Sequence, residues 1–145
     1  MPRMATAADA EVIMRLYELR REDKLRKARN WYFSSFKGIK SVDEFHKIAP
    51  AGSEENAYFR MVTSYWDMAA GFVNSGAVNP DLFFRSSNEL LFVWLRISEL
   101  VPELRKARNN PVAFGDLEET AKAMTDWMQS RAPGAYEGFR KMVLG

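Results

Sequence analysis

The chain has 145 residues, 47% of them hydrophobic and 28% charged, with a formal net charge of +2 and no cysteine. A chain of this length can bury a core of its own, and usage this apolar excludes an intrinsically disordered protein. The missing cysteine excludes disulfides, thiolate catalysis and Cys-ligated zinc or iron–sulfur sites, and the small net charge gives no general ground for a polyanionic partner.

Val, Ile and Thr are sparse, no stretch alternates for long, and apolar residues recur three and four apart, so the expected fold class is all-α. Met1-Pro2-Arg3-Met4-Ala5-Thr6 holds no apolar run of signal-peptide length, and charges interrupt every later apolar stretch. The expectation is a cytoplasmic chain with no membrane span. The first helix is expected to start near Ala7 or Ala8, to carry Val12, Ile13, Leu16, Tyr17 and Leu19 on one stripe, and to run towards Phe36. Leu25, Ala28, Trp31, Tyr32 and Phe36 keep helical spacing on a rotated face, which predicts a bend or a change of packing partner.

Ser41-Val42-Asp43-Glu44 has capping-box spacing and opens a short helix that Ile48-Ala49-Pro50 ends. Ser53 caps the next helix, with Glu54 and Glu55 at its positive end, and Tyr58, Met61, Val62, Tyr65, Ala69, Phe72 and Val73 form a broad apolar stripe. Arg60, Thr63, Ser64, Asp67, Gly71 and Asn74 fall opposite, which predicts a solvent-facing Asp67, and Gly76 suits a left-handed C-terminal residue. Asn79-Pro80 opens a fourth long helix through Leu82, Phe83, Leu90, Leu91, Trp94, Ile97, Val101 and Leu104, which Pro102 should kink or shorten by splitting off its last turns. Asn110-Pro111 repeats that signal, so the following helix is placed from Pro111, rather than from Asp116, to a stop at Pro133-Gly134. Tyr136, Phe139 and Val143 then mark a short final helix. The expected architecture is one domain over residues 1–145, a compact bundle of five or six helices framed by three long amphipathic ones.

His46 is the only histidine and stands between Phe45 and Lys47 with no nucleophile pattern near it. Proton transfer near neutral pH would otherwise need a perturbed carboxylate or lysine, and Glu89, on the rim of an apolar helix, is the carboxylate whose burial matters. Glu54-Glu55 and Glu118-Glu119 sit near helix starts, where the macrodipole accounts for them, and no Glu-x-x-His pair suggests a di-metal site. No glycine-rich phosphate loop is present. No catalytic, metal or cofactor-binding residue is therefore assigned, and no cofactor is expected. Seven basic residues, Arg15, Arg20, Arg21, Lys24, Arg26, Lys27 and Arg29, precede Trp31 and Tyr32, which offers charge and stacking rings to a nucleic acid. Glu18, Glu22 and Asp23 interleave with them, so Glu22–Arg26 and Asp23–Lys27 pairs on a solvated helix are the better account, and nucleic acid is disfavoured.

Two surfaces remain. The fourth helix is apolar nearly all round, because Phe84, Leu91, Phe92 and Leu95 populate much of the face opposite Leu90, Trp94, Ile97, Val101 and Leu104. A central place in the bundle explains this, and otherwise Phe84, Phe92 and Leu95 form a homodimer or partner surface. Arg105, Arg108, Asn109 and Asn110 follow that helix. The carbonyl end of the helix accounts for them, and alternatively Arg105, Arg108 and Asn110 hold an anion at the Asn110-Pro111 helix start.

Tyr65-Trp66-Asp67-Met68-Ala69-Ala70, Gly76-Ala77-Val78-Asn79-Pro80-Asp81-Leu82-Phe83-Phe84, Trp94 and Arg105-Lys106-Ala107-Arg108-Asn109-Asn110-Pro111 together resemble a family of small bacterial all-helical proteins of unknown function. The resemblance covers roughly the middle third of the chain. It implies a bacterial all-α domain and supplies no catalytic residues; some such proteins carry an N-terminal membrane anchor, which is not expected here. The expected function is a non-enzymatic interaction or structural module that self-associates. The alternatives are a nucleic-acid- or anion-binding regulator using the basic first helix or the Arg105/Arg108 turn, and an enzyme with a carboxylate pocket.

Overall fold

Residues 3–145 are described by a computed structural model that is 76% helix, with no strand among those residues. Among the described residues nine helices follow one another: α1 (Ala7–Arg20), α2 (Asp23–Ser35), α3 (Val42–Ile48), α4 (Glu54–Asn74), α5 (Pro80–Ser86), α6 (Asn88–Ile97), α7 (Val101–Ala107), α8 (Gly115–Arg131) and α9 (Pro133–Leu144). The excess over five or six arises at breaks with local causes.

The first expected helix divides at Arg21-Glu22. Glu22 takes φ −62° and ψ 139°, and its carboxylate accepts the N–H groups of Lys24 and Leu25 at 3.1 and 3.0 Å, so it caps α2. The rotated stripe has the same origin: α2 is a separate rod, packed along α4. The fourth expected helix is three. Ser87, at φ −125° and ψ 40°, separates α5 from α6, and Pro102 falls in the first turn of α7, where its missing N–H leaves no bond unmade. Pro102 thus splits off the last turns instead of kinking a continuous rod.

The helix expected from Pro111 starts later, at Gly115. Residues 111–114 form a tight turn, with Asn110 Oδ1 accepting the Val112 N–H at 3.2 Å and Phe114 in left-handed geometry at φ 61°. A non-glycine residue tolerates that conformation only where packing holds it, and the Phe114 ring is buried with the Arg108 guanidinium 5.3 Å from its centre.

Helix α4 is the axis. It packs along α2 and α8 and touches α6, and one cluster of buried side chains runs from Leu16 to Met128 around it. Its apolar stripe meets the α2 side, where Tyr58 lies 6.3 Å from Trp31, centre to centre. Its supposedly polar side is a second packed face: Thr63 is buried, and Asp67 and Asn74 bond to α8. Helix α9 lies against α8 and α6 and buries Val143. No helix among the described residues is long and apolar enough to cross a membrane.

Candidate functional site

Phe84, Phe92 and Leu95 do not share one free surface. Phe84 is buried with its ring edge-on to Trp127 at 5.7 Å. Phe92 is half-buried, edge-on to Phe33 at 4.7 Å, with the Arg96 guanidinium 4.5 Å from its ring centre. Leu95 is half-buried between clefts whose other walls include Tyr136 and Leu144 of α9. The second apolar face of this segment is therefore covered largely within the chain, by α2, α8 and α9.

Arg105, Arg108 and Asn110 do not converge either. Arg105 Nε donates to the Ala113 carbonyl at 2.8 Å and Nη2 to Glu118 Oε1 at 2.9 Å, while Arg108 lies over Phe114. Asn110 caps its own turn, and the free amides of a helix start, expected at Pro111, lie instead at Gly115. The Arg105 hydrogen bonds tie α7, the turn and α8 together. They also hold the Glu118 carboxyl below its ordinary range, with Lys122 assisting.

Glu89 is largely buried, its side chain 11% exposed, and charged groups from other helices gather on it. Arg29 donates Nε to Oε2 at 2.9 Å and Nη2 to Oε1 at 2.7 Å, Trp66 Nε1 donates to Oε2 at 2.9 Å, and Arg20 Nη1 stands 3.9 Å away. Both carboxylate oxygens are engaged by a bidentate, charge-assisted pair, which fixes the geometry of the centre. A cleft of about 140 Å³ bounded by Phe33, Phe92 and Phe139 reaches Glu89. Arg20 and Arg29 thus turn inward, so the basic segment is less of an exposed patch than its composition suggested.

Asp67 is half-buried rather than solvent-facing. It accepts the Leu117 N–H at 3.0 Å, reaching from α4 to the start of α8. Burial pushes its pKa up against the opposing effect of that bond, with Asp116 raising it further. Asn74 donates to Asp116 Oδ1 at 3.0 Å and accepts from Thr120 Oγ1 at 2.7 Å, so a polar seam runs along this interface. His46 is exposed, and no cluster of three metal-ligating side chains occurs among the described residues.

One surface escaped the sequence reading. An apolar groove of about 1050 Å³ runs between α1 and α4, with Val12, Leu16 and Phe72 in its floor and Met14, Leu19 and Met68 along its edges. Met14 is 60% exposed, Met68 44% and Leu19 40%. Leu19 was expected on the buried stripe, whereas Met14 and Met68 lay outside both stripes; apolar residues off the stripe were the available signal. Glu11, Arg15 and Glu18 of α1 also line the groove.

A family model described as a domain of unknown function, DUF4760, matches residues 5–127, far more than the middle third, from before α1 to near the end of α8. No curated protein and no solved structure matches the chain.

Proposed function

The chain belongs to the DUF4760 family, whose description assigns no activity, and from that premise we propose a non-enzymatic helical interaction module that pairs with a second copy of itself through the α1–α4 groove. The groove is the observation that carries this reading. Contiguous exposed apolar surface is a liability in a monomer unless something covers it, and methionine-edged grooves adapt readily to an inserted helix.

Charge favours a second copy as the occupant. Glu11 and Arg15 stand one helical turn apart, so α1 laid antiparallel on the α1 of another molecule, about a twofold axis midway between them, sets each Glu11 against the other copy's Arg15. Met14 then enters the opposing groove beside Val12. A bacterial, cytoplasmic setting belongs to the same reading and rests on the sequence resemblance and the lack of cysteine. The regulator alternative is weakened by the inward turn of Arg20 and Arg29, and the enzyme alternative by the engaged carboxylates of Glu89 and Asp67.

Light scattering across a concentration series tests the proposal. The expected result is a dimer that Met14→Glu or Met68→Glu dissociates at unchanged helicity. Glu11→Arg should weaken it, and Glu11→Arg with Arg15→Glu should restore it. A strict monomer at high micromolar concentration would overturn self-association.

A further inference from the structure

A second cleft, of about 280 Å³, opens between the loop after α2, the end of α6 and the end of α9. Ile39, Leu95 and Leu144 give it apolar walls, and Lys40, Arg96 and Glu99 its polar groups. Arg96 is the unusual member, being only 8% exposed. Its Nε donates to the Val143 carbonyl at 2.7 Å, and Nη1 donates to the carbonyls of Phe36 at 2.8 Å and Phe33 at 3.1 Å. The guanidinium therefore sits between the carbonyl ends of α2 and α9, whose partial negative charges offset its own.

That arrangement leaves a remainder. Arg96 pairs with no carboxylate among the described residues, and its Nη2 makes no hydrogen bond to any of them. Nε and Nη2 donate along the same edge of a guanidinium, so Nη2 lies on the edge that faces Val143, next to the Leu144 that lines the cleft. A cation more than nine-tenths buried, with an open donor and no ionic partner, is an incomplete pairing. At the mouth, Lys40 Nζ stands 3.5 Å from Glu99 with both side chains mostly exposed, a loose pair that exchanges readily.

We propose that this cleft binds a small monocarboxylate with a short apolar tail. One carboxylate oxygen accepts from Arg96 Nη2 and the other from Lys40 Nζ, displacing Glu99, while the tail lies against Ile39, Leu95 and Leu144. A monoanion is favoured over a phosphate dianion because Glu99 and the two helix carbonyl ends stand close by. The volume, at the low end for ligand cavities, limits the tail to a single alkyl chain no longer than that of octanoate. The site is separate from the α1–α4 groove and independent of self-association.

Titration calorimetry at constant ionic strength, with octanoate, octanol and inorganic phosphate as probes, decides the matter. Octanoate is expected to bind saturably, and the two probes lacking either tail or head much more weakly. Arg96→Ala would strip four carbonyls, those of Tyr32, Phe33, Phe36 and Val143, of a donor, so the informative variants are peripheral ones that keep the fold. Lys40→Ala should weaken octanoate about tenfold, as expected for one charge-assisted hydrogen bond. Glu99→Gln should strengthen it, and Leu95→Trp, which fills the cleft, should abolish it. Absence of saturable octanoate binding would overturn the proposal, as would binding that Lys40→Ala and Leu95→Trp leave unchanged. Phosphate binding as tight as octanoate would overturn the assignment to an apolar acid.

Discussion

Asp9 carries more of the structure than its place in a helix suggests. Its side chain is 1% exposed and accepts from Arg3 Nη1 and Nη2 at 2.7 and 2.6 Å, from the Thr6 N–H at 2.7 Å and from the Asn79 N–H at 3.0 Å. Asn79 returns the contact by donating Nδ2 to the Arg3 carbonyl at 2.8 Å while its Oδ1 caps α5. The segment from Arg3 to Asp9 is thereby stapled to the turn between α4 and α5. An acid in a first helical turn already has an explanation in the macrodipole, so nothing local announced a partner seventy positions away. The bonds from Arg3, above all, and then from Thr6 and Asn79 hold the Asp9 pKa well below the ordinary carboxylate range. Because the folded value lies below the unfolded one, this group's stabilisation is present above the unfolded value and is lost as pH falls through the folded one. Urea unfolding followed from neutral pH to about pH 2 should show wild type losing stability in acid, and Asp9→Asn should be weaker at neutral pH with a flatter acid limb. Parallel curves for the two proteins would contradict this role.

Helix boundaries were legible where the capping chemistry is local. Ser41, Ser53 and Asn79 each accept an N–H three residues on, as their spacing predicted. Glu22 was not legible, because a glutamate four residues before an arginine reads equally well as an ion pair. The start of α8 was not legible for a different reason: its cap belongs to another helix. Phe114 offers no side-chain acceptor, and the Leu117 N–H is served by Asp67 of α4. Asp67 looked solvent-facing because the strongest apolar stripe of α4 lies opposite, yet a central helix has two packed faces. Asp67→Ala should cost about 1 kcal/mol, as for loss of an N-cap, and amide exchange should quicken in the first turn of α8 while the middle of α4 stays protected. Asp67→Asn keeps an acceptor and removes a half-buried charge, so it should cost less. Equal losses for the two variants would mean that the bond to Leu117 does not hold the helix start.

At the scale of the whole molecule, all-helical character could be read from spacing alone, while the number of helices and the partner of each face could not. Whether Phe92 and Leu95 were covered depended on where α9 returns, and a twelve-residue helix with glycines at Gly134 and Gly138 carries little pattern to say so. Glu89 shows the same limit: its burial was a fair question from sequence, but its partners come from three other helices. Arg20 of α1, Arg29 of α2 and Trp66 of α4 meet on this one carboxylate of α6. Glu89→Ala leaves two largely buried guanidinium groups without a counter-ion and should cost about 3–5 kcal/mol, a large share of the roughly 5–15 kcal/mol typical of a domain. Removing the charges together should be milder, because the penalty comes from the uncompensated charge more than from loss of the pair. Denaturation of Glu89→Ala against Arg20→Leu/Arg29→Leu/Glu89→Leu therefore separates two roles. If the triple variant recovers most of the loss, the centre chiefly fixes how four helices meet; if it is the weaker protein, the ion pairs themselves hold the bundle together.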